Sequence, residues 1–283
     1  MKSPGKPLSK PPAALAFRFP NWSAAVRENP LKQTLLSGKT AYGIMAAEFL
    51  TPGFSTISAR AGAEYVIFDG EHGGLGLDTL KAQFAFARGA GLVPLVRVPG
   101  HAYHLIAPML DAGAMGIMEP MVETPEQAAE LAAWCRYRPE GRRGVGFTVG
   151  HDDYGMEAVP PRMAAANERT LVIALVESVR GIGNIEAIMA TPGIDLGWLG
   201  HYDLTDSMGI TAQFDHPNFA IAVDRFLAAC AAAGKPAGIV GTSVEMVRGW
   251  RARGFRCLCY GTDVSVFQTA LRDALAVLRA DGA

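Results

Sequence analysis

The sequence has no apolar run long enough to cross a bilayer: its hydrophobic stretches are strand-length, and each is broken by a charge or a glycine. No transmembrane helix is therefore expected. It also lacks an excess of either charge. Lys plus Arg (26) nearly balance Asp plus Glu (27), and no basic cluster is interleaved with aromatics, so neither nucleic acid nor an anionic membrane surface is an expected partner. Cysteine is scarce, with four residues and no pair at zinc-ligand spacing. Cys257 and Cys259 share one face of a strand, where a disulfide between them would be badly strained, and all four read as reduced thiols of a cytoplasmic protein. The chain has no GxGxxG turn after its first strand. The glycine-rich "GEHGGLG" has no Lys-Ser/Thr behind it, so it reads as a close turn rather than a phosphate cradle. The N-terminal "MKSPGKPLSKPPAALAFRFPNW" lacks the continuous apolar core of a signal peptide. Residues 1–30 are expected to form a flexible Pro- and Lys-rich arm, with a single domain over 31–283.

What is present is a hydrophobic fraction of 49% against 19% charged residues, enough for a full-sized core. Short β-branched and apolar runs alternate with helical patterns eight times. The candidate strands are "YGIMAAE" (42–48), "YVIFDG" (65–70), "VPLVRV" (93–98), "MGIMEPM" (115–121), "LVIALVE" (171–177), "IDLGWLG" (194–200), "AGIVG" (237–241) and "RCLCYG" (256–261). Strands apolar throughout suit a parallel sheet covered by helices, and eight βα units predict an α/β fold of the (β/α)8 TIM-barrel type. An open doubly wound sheet is the alternative, though it normally has fewer strands. The stretch 138–169 is too long for a simple connection and reads as a lid or a contact between subunits.

Chemistry in such barrels collects at the C-terminal ends of the strands, and polar residues fall there repeatedly. Glu48 ends the first strand. Asp69, Glu71 and His72 end the second, with Arg97 near the end of the third. Glu119 lies in the fourth, Glu177 ends the fifth, and His201 with Asp203 follow the sixth. Several carboxylates around one cavity need a counter-charge. Oxygen ligands without thiolate or clustered histidine favour Mg²⁺ or Mn²⁺. Taken one at a time, Glu48, Glu119 and Asp206 read as caps or salt-bridge partners, and His101, His104 and His216 as surface or packing residues. His201, in "GHYDL", is a candidate substrate contact at the mouth. Lys81 and Lys235 do not fall at strand C-termini, which argues against a Schiff-base mechanism.

The ordered set "FDGEH", "PLVRVP", "LDAGAMGIMEPMVET", "RPEGRRGVG", "ALVES" and "LGHYDLTDSMG" resembles the HpcH/HpaI family of class II metal-dependent pyruvate aldolases, from about Gly43 to the C-terminus. The resemblance implies metal carboxylates at Glu177 and Asp203, an acid/base histidine at His72 paired with Asp111, and an arginine facing the enolate oxygen at Arg97. It further implies acidic residues near the metal-bound waters at Asp69 and Glu71. The implied reaction is reversible cleavage of a 4-hydroxy-2-keto acid to pyruvate, or a related 2-keto acid, and an aldehyde through an enolate. The competing readings are an acyl-CoA lyase of the citrate lyase β-like type, an oxaloacetate decarboxylase, and a catalytically silent metabolite-binding barrel. A homo-oligomer, trimer-based and up to a hexamer, is implied as well. The family commonly carries glutamine where this chain has Leu175, and Pro-Ala or Pro-Ser where it has His201-Tyr202, so substrate contacts are expected to differ.

Overall fold

The structure, a computed structural model, describes residues 26–280. Eight parallel strands pair in sequence order and close on themselves: β1 (Ala41–Ala46), β2 (Tyr65–Asp69), β3 (Val93–Arg97), β4 (Gly116–Glu119), β5 (Leu171–Val176), β6 (Leu196–Leu199), β7 (Ala237–Gly241) and β8 (Cys257–Thr262). Each of the eight expected strands is present, one or two residues shorter at most of the ends. The helices are α1 (Pro30–Leu36), α2 (Pro52–Arg60), α3 (Leu77–Gly89), α4 (Tyr103–Ala112), α5 (Pro125–Cys135), α6 (Val159–Arg169), α7 (Val179–Gly183), α8 (Ile185–Ala190), α9 (His201–Ser207), α10 (Pro217–Ala232), α11 (Val244–Arg253) and α12 (Asp263–Ala280). The fold is the TIM barrel.

The strands are apolar on both faces because both faces are covered. Ile67, Leu95, Met118, Ile173 and Trp198 fill the barrel interior, while Val66, Phe68, Val96, Ile117 and Val172 meet the helices. Leu31 and Leu35 of α1 join the interior cluster and plug the end where the strands begin. Local signals fix the helix starts. Thr124 and Gln127 form a reciprocal capping box ahead of Pro125, and Ser243 caps α11, each satisfying otherwise orphaned N–H groups.

Three expectations need adjusting. Residues 1–25 of the expected arm lie outside the described residues, but Val26 and Asn29 are buried, and the Asn29 amide donates to the carbonyls of Met115 and Arg169. These residues therefore belong to the folded body. The 138–169 stretch is no lid over its own barrel mouth. It follows the C-terminal end of α5, includes a short 3-10 helix (Gly150–Asp152) and α6, and packs along the outside of α4, where Arg143 pairs with Asp111 and Tyr103 Oη accepts from Gly144 N–H. His101, expected as a surface or packing residue, does pack its ring on Trp134, but both its ring nitrogens also meet carboxylates, those of Glu119 and Glu130. The four cysteines are free and buried.

Candidate active site

A parallel barrel places every strand's C-terminal end on one rim, and β2, β3 and β5 bring Asp69, Arg97 and Glu177 there. Asp69 does two jobs. Its Oδ1 accepts from the backbone N–H groups of Glu71 and His72 at 3.1 and 3.2 Å, shaping the turn that follows β2. The same carboxylate accepts from Arg97 through Nε at 2.9 Å and Nη2 at 2.6 Å. Arg97 Nη1 reaches Glu71 Oε2 at 3.2 Å. Burial alone would lower the Arg97 pKa, but Asp69, Glu71 and Glu177 outweigh it and raise the pKa. Burial works to raise Asp69, yet Arg97 and the two N–H groups hold it below its ordinary value. Asp69 and Glu71, read as neighbours of metal-bound water, are thus placed first of all as the counter-charges that orient Arg97.

Glu177 follows β5 and is 4% exposed. Its Oε1 accepts from Met121 N–H at 2.8 Å. Its Oε2 lies over Gly200, where an added Cβ would collide with it. Burial pushes Glu177 up to about 7, with the negative charges of Asp203 and Glu71 adding to the effect and Met121 N–H and Arg97 opposing it. Asp203 stands in the first turn of α9, exposed. Glu177, Asp203 and Arg97 line one cavity of about 240 Å³ at the rim, whose floor is apolar: Met45, Ile67, Met118, Leu175 and Val240. None of Lys32, Lys39, Lys81 and Lys235 lines it. A wider groove of about 670 Å³ lies at the other end of the barrel. It is lined by Lys39, Arg248, Arg251 and Arg256 and contains no carboxylate.

The remaining candidates sit differently. His201 lines the cavity, but its ring packs against Tyr202 and Phe214 at centroid distances of 4.7 and 5.0 Å. Both ring nitrogens are buried without a partner, and burial pushes its pKa down to about 4. It is part of the cavity wall, where it was expected as a substrate contact. His72 is solvent-exposed at the rim, 3.9 Å from Glu71. Asp111 lies in the last turn of α4, which begins at the rim and runs away from it, so roughly 12 Å of helix separates Asp111 from the mouth. Its carboxylate is held by Arg143 at 2.5 Å. The chain therefore brings together Asp69, Glu71, Arg97, Glu177 and Asp203, and does not join His72 to Asp111. Met121 and Gly200 were not legible as site residues, since one contributes a backbone N–H and the other the absence of a side chain.

The model of the HpcH/HpaI aldolase/citrate lyase family matches residues 50–270. A hydroxypyruvate/pyruvate aldolase of Chromohalobacter salexigens is 37% identical over 249 residues, covering 88% of this chain and 96% of that protein. A 5-keto-4-deoxy-D-glucarate aldolase of Salmonella arizonae is 33% identical over 244 residues, covering 86% and 94%. Among solved structures, an HpcH/HpaI aldolase/citrate lyase family protein from Burkholderia cenocepacia J2315 superposes with a TM-score of 0.83 at 34% identity, covering 89% of this chain and 99% of that one. The strand order, the rim cavity and these matches along nearly the whole barrel agree: the chain belongs to the HpcH/HpaI aldolase/citrate lyase family.

Proposed function

We propose that the protein is a divalent-metal-dependent aldolase that reversibly cleaves a 4-hydroxy-2-keto acid into pyruvate, or a related 2-keto acid, and an aldehyde. The observation that carries this reading is the convergence of Glu177, Asp203 and Arg97 on one rim cavity with no lysine among the described residues on its wall. Among the described residues no cluster of three or more His, Cys, Asp or Glu forms a closed metal cage. A pair of carboxylates, one of them pushed up by burial with the negative charges of Asp203 and Glu71 adding to it, suits Mg²⁺ or Mn²⁺, which keep several positions for water or substrate oxygens. Glu177 and Asp203 would hold the cation. When bound, it supplies Lewis acidity toward the carboxylate and keto oxygens of the substrate.

The chain's own residues do the rest. In cleavage the C4 hydroxyl loses its proton, the C3–C4 bond breaks, and its electron pair passes into the enolate of the 2-keto acid while the aldehyde departs. Arg97, oriented by Asp69 and Glu71, donates to the enolate oxygen as its charge develops. His72 takes the hydroxyl proton and returns a proton at C3. The His72–Asp111 pairing is proposed to form between copies in a homo-oligomer, since within one chain His72 stands at the rim after β2 while Asp111 lies in the last turn of α4, away from the rim. Exposed Phe267, Leu271 and Leu278 on α12 support that assembly, proposed as trimer-based up to a hexamer. His201 acts as cavity wall, and the apolar floor that includes Leu175 favours a substrate end without hydroxyls.

Among the described residues no helix is long and apolar enough to cross a membrane, and the unpaired thiols support a cytoplasmic setting. The test is pyruvate release from a panel of 4-hydroxy-2-keto acids, run beside citryl-CoA and oxaloacetate. The aldol substrates should turn over fastest, and exclusive turnover of the CoA ester would overturn the assignment.

A further inference from the structure

Glu119 ends β4 and is 1% exposed, a costly place for a carboxylate without partners. Its Oε1 meets His101 Nδ1 at 2.5 Å. His101 lies in the turn between β3 and α4. Its Nε2 meets Glu130 Oε2 of α5 at 3.0 Å, and Glu130 also accepts from Arg142 at 3.0 Å. The His101 ring packs on Trp134 at a centroid distance of 4.7 Å. Burial acts to lower the His101 pKa, but Glu130 and Glu119 outweigh it and raise the pKa. The imidazole is thus held between two carboxyl groups, tying the β3–α4 turn to β4 and α5.

The position of this tie along the chain gives it a consequence. Glu119 is followed by Pro120 and Met121. The proline fixes its own φ and restricts the residue before it. Met121 has φ 55°, a left-handed conformation that costs a non-glycine residue roughly 1–2 kcal/mol and persists only where the surroundings enforce it. In that conformation its N–H points at Glu177 Oε1, 2.8 Å away. The hydrogen bond from Val98 N–H to Met118 O at 3.0 Å joins the same two segments just before the tie.

We propose that His101 is a positioning residue: by clamping Glu119 it holds Pro120–Met121 in the conformation that presents the Met121 N–H to Glu177, leaving the other Glu177 oxygen to the cation. The proposal rests on the reading of Glu177 as a metal ligand. It assigns a role at the site to two residues that the sequence presents as bystanders.

The test compares the full chain with its His101→Ala, His101→Asn and His101→Gln variants. Mn²⁺ affinity is read by electron paramagnetic resonance, Met121 amide exchange by NMR, and kcat at saturating Mn²⁺. His101→Ala should weaken Mn²⁺ binding about tenfold and speed Met121 exchange, while kcat at saturating metal stays within about twofold of wild type. Asn places its amide nitrogen where Nδ1 stood and keeps the bond to Glu119, so it should restore both affinity and protection. Gln reaches toward Glu130 instead and should not. Wild-type affinity and exchange in His101→Ala, or rescue by Gln and not Asn, would overturn the clamp. If the alanine variant fails to fold, the Asn and Gln pair decides. If the wild type binds no Mn²⁺, the metal reading fails, and Met121 exchange alone then judges the clamp.

Discussion

Asp69 and Arg97 are register partners at the ends of β2 and β3, and the pair is closed by two parallel bonds, Nε to Oδ1 and Nη2 to Oδ2. The fork geometry fixes the guanidinium plane, which a lysine could not do. Asp69→Asn keeps an acceptor for the turn but removes the charge, leaving half-buried Arg97 to Glu71 alone. Urea denaturation should show a loss of about 2 kcal/mol near neutral pH. Because the folded Asp69 pKa lies below its ordinary value, its contribution is present above the unfolded pKa and fades as pH falls through the folded one. The variant's stability should therefore vary less with pH on the acid limb. Equal stability and equal acid slopes in the two proteins would show that the pair does not hold the rim.

Glu177 shifts the opposite way. Burial pushes it up to about 7, so the metal-free fold binds a proton there that the unfolded chain releases, and this contribution to stability is lost as pH rises from the ordinary carboxylate value through about 7. A divalent cation competes with that proton. Mn²⁺ affinity should fall up to about tenfold per pH unit below the Glu177 pKa. Glu177→Gln and Asp203→Asn should each remove most of the binding, with circular dichroism unchanged. A pH-independent affinity in the wild type would contradict the assignment of Glu177.

Gly200 offers a test that touches no polar group. A Cβ there would press on Glu177 Oε2 and on Leu175, so Gly200→Ala should displace the carboxylate and weaken Mn²⁺ binding by about tenfold or more. Calorimetric titration with Mn²⁺ measures this directly, and unchanged affinity would mean that Glu177 tolerates the shift.

The His72–Asp111 pairing is tested by mixing. His72→Ala and Asp111→Ala should each lose roughly 10²–10⁴-fold in aldol cleavage. Mixed oligomers formed after subunit exchange should regain up to about a quarter of wild-type rate, since some sites draw both intact residues from different copies. No recovery in oligomers verified as mixed would reject a shared site.

The barrel was legible because eight doubly apolar strand runs at regular spacing admit few other architectures. The rim carboxylates and Arg97 were legible because each ends such a run, where a charge has no reason to be buried in a core. Three features were not. The Met121 N–H and the Gly200 gap carry no side-chain signature. His101 and Glu119 look unremarkable one at a time, and only the pairing of β3 with β4 brings them together. Asp111 was read from resemblance, and its place in the last turn of α4 shows why position alone did not suggest it. His201 was legible as a residue of the mouth, which it lines, but the aromatic packing of its ring on Tyr202 and Phe214 was not.

Pyruvate release from a 4-hydroxy-2-keto acid, measured after exhaustive chelation and again during titration with Mg²⁺ or Mn²⁺, tests the metal-dependent aldolase reading most directly. Release should drop to background after chelation and return along a saturable curve whose midpoint shifts to higher cation concentration in Glu177→Gln and Asp203→Asn. A full rate in the chelated protein, or no pyruvate at any concentration of either cation, would contradict it.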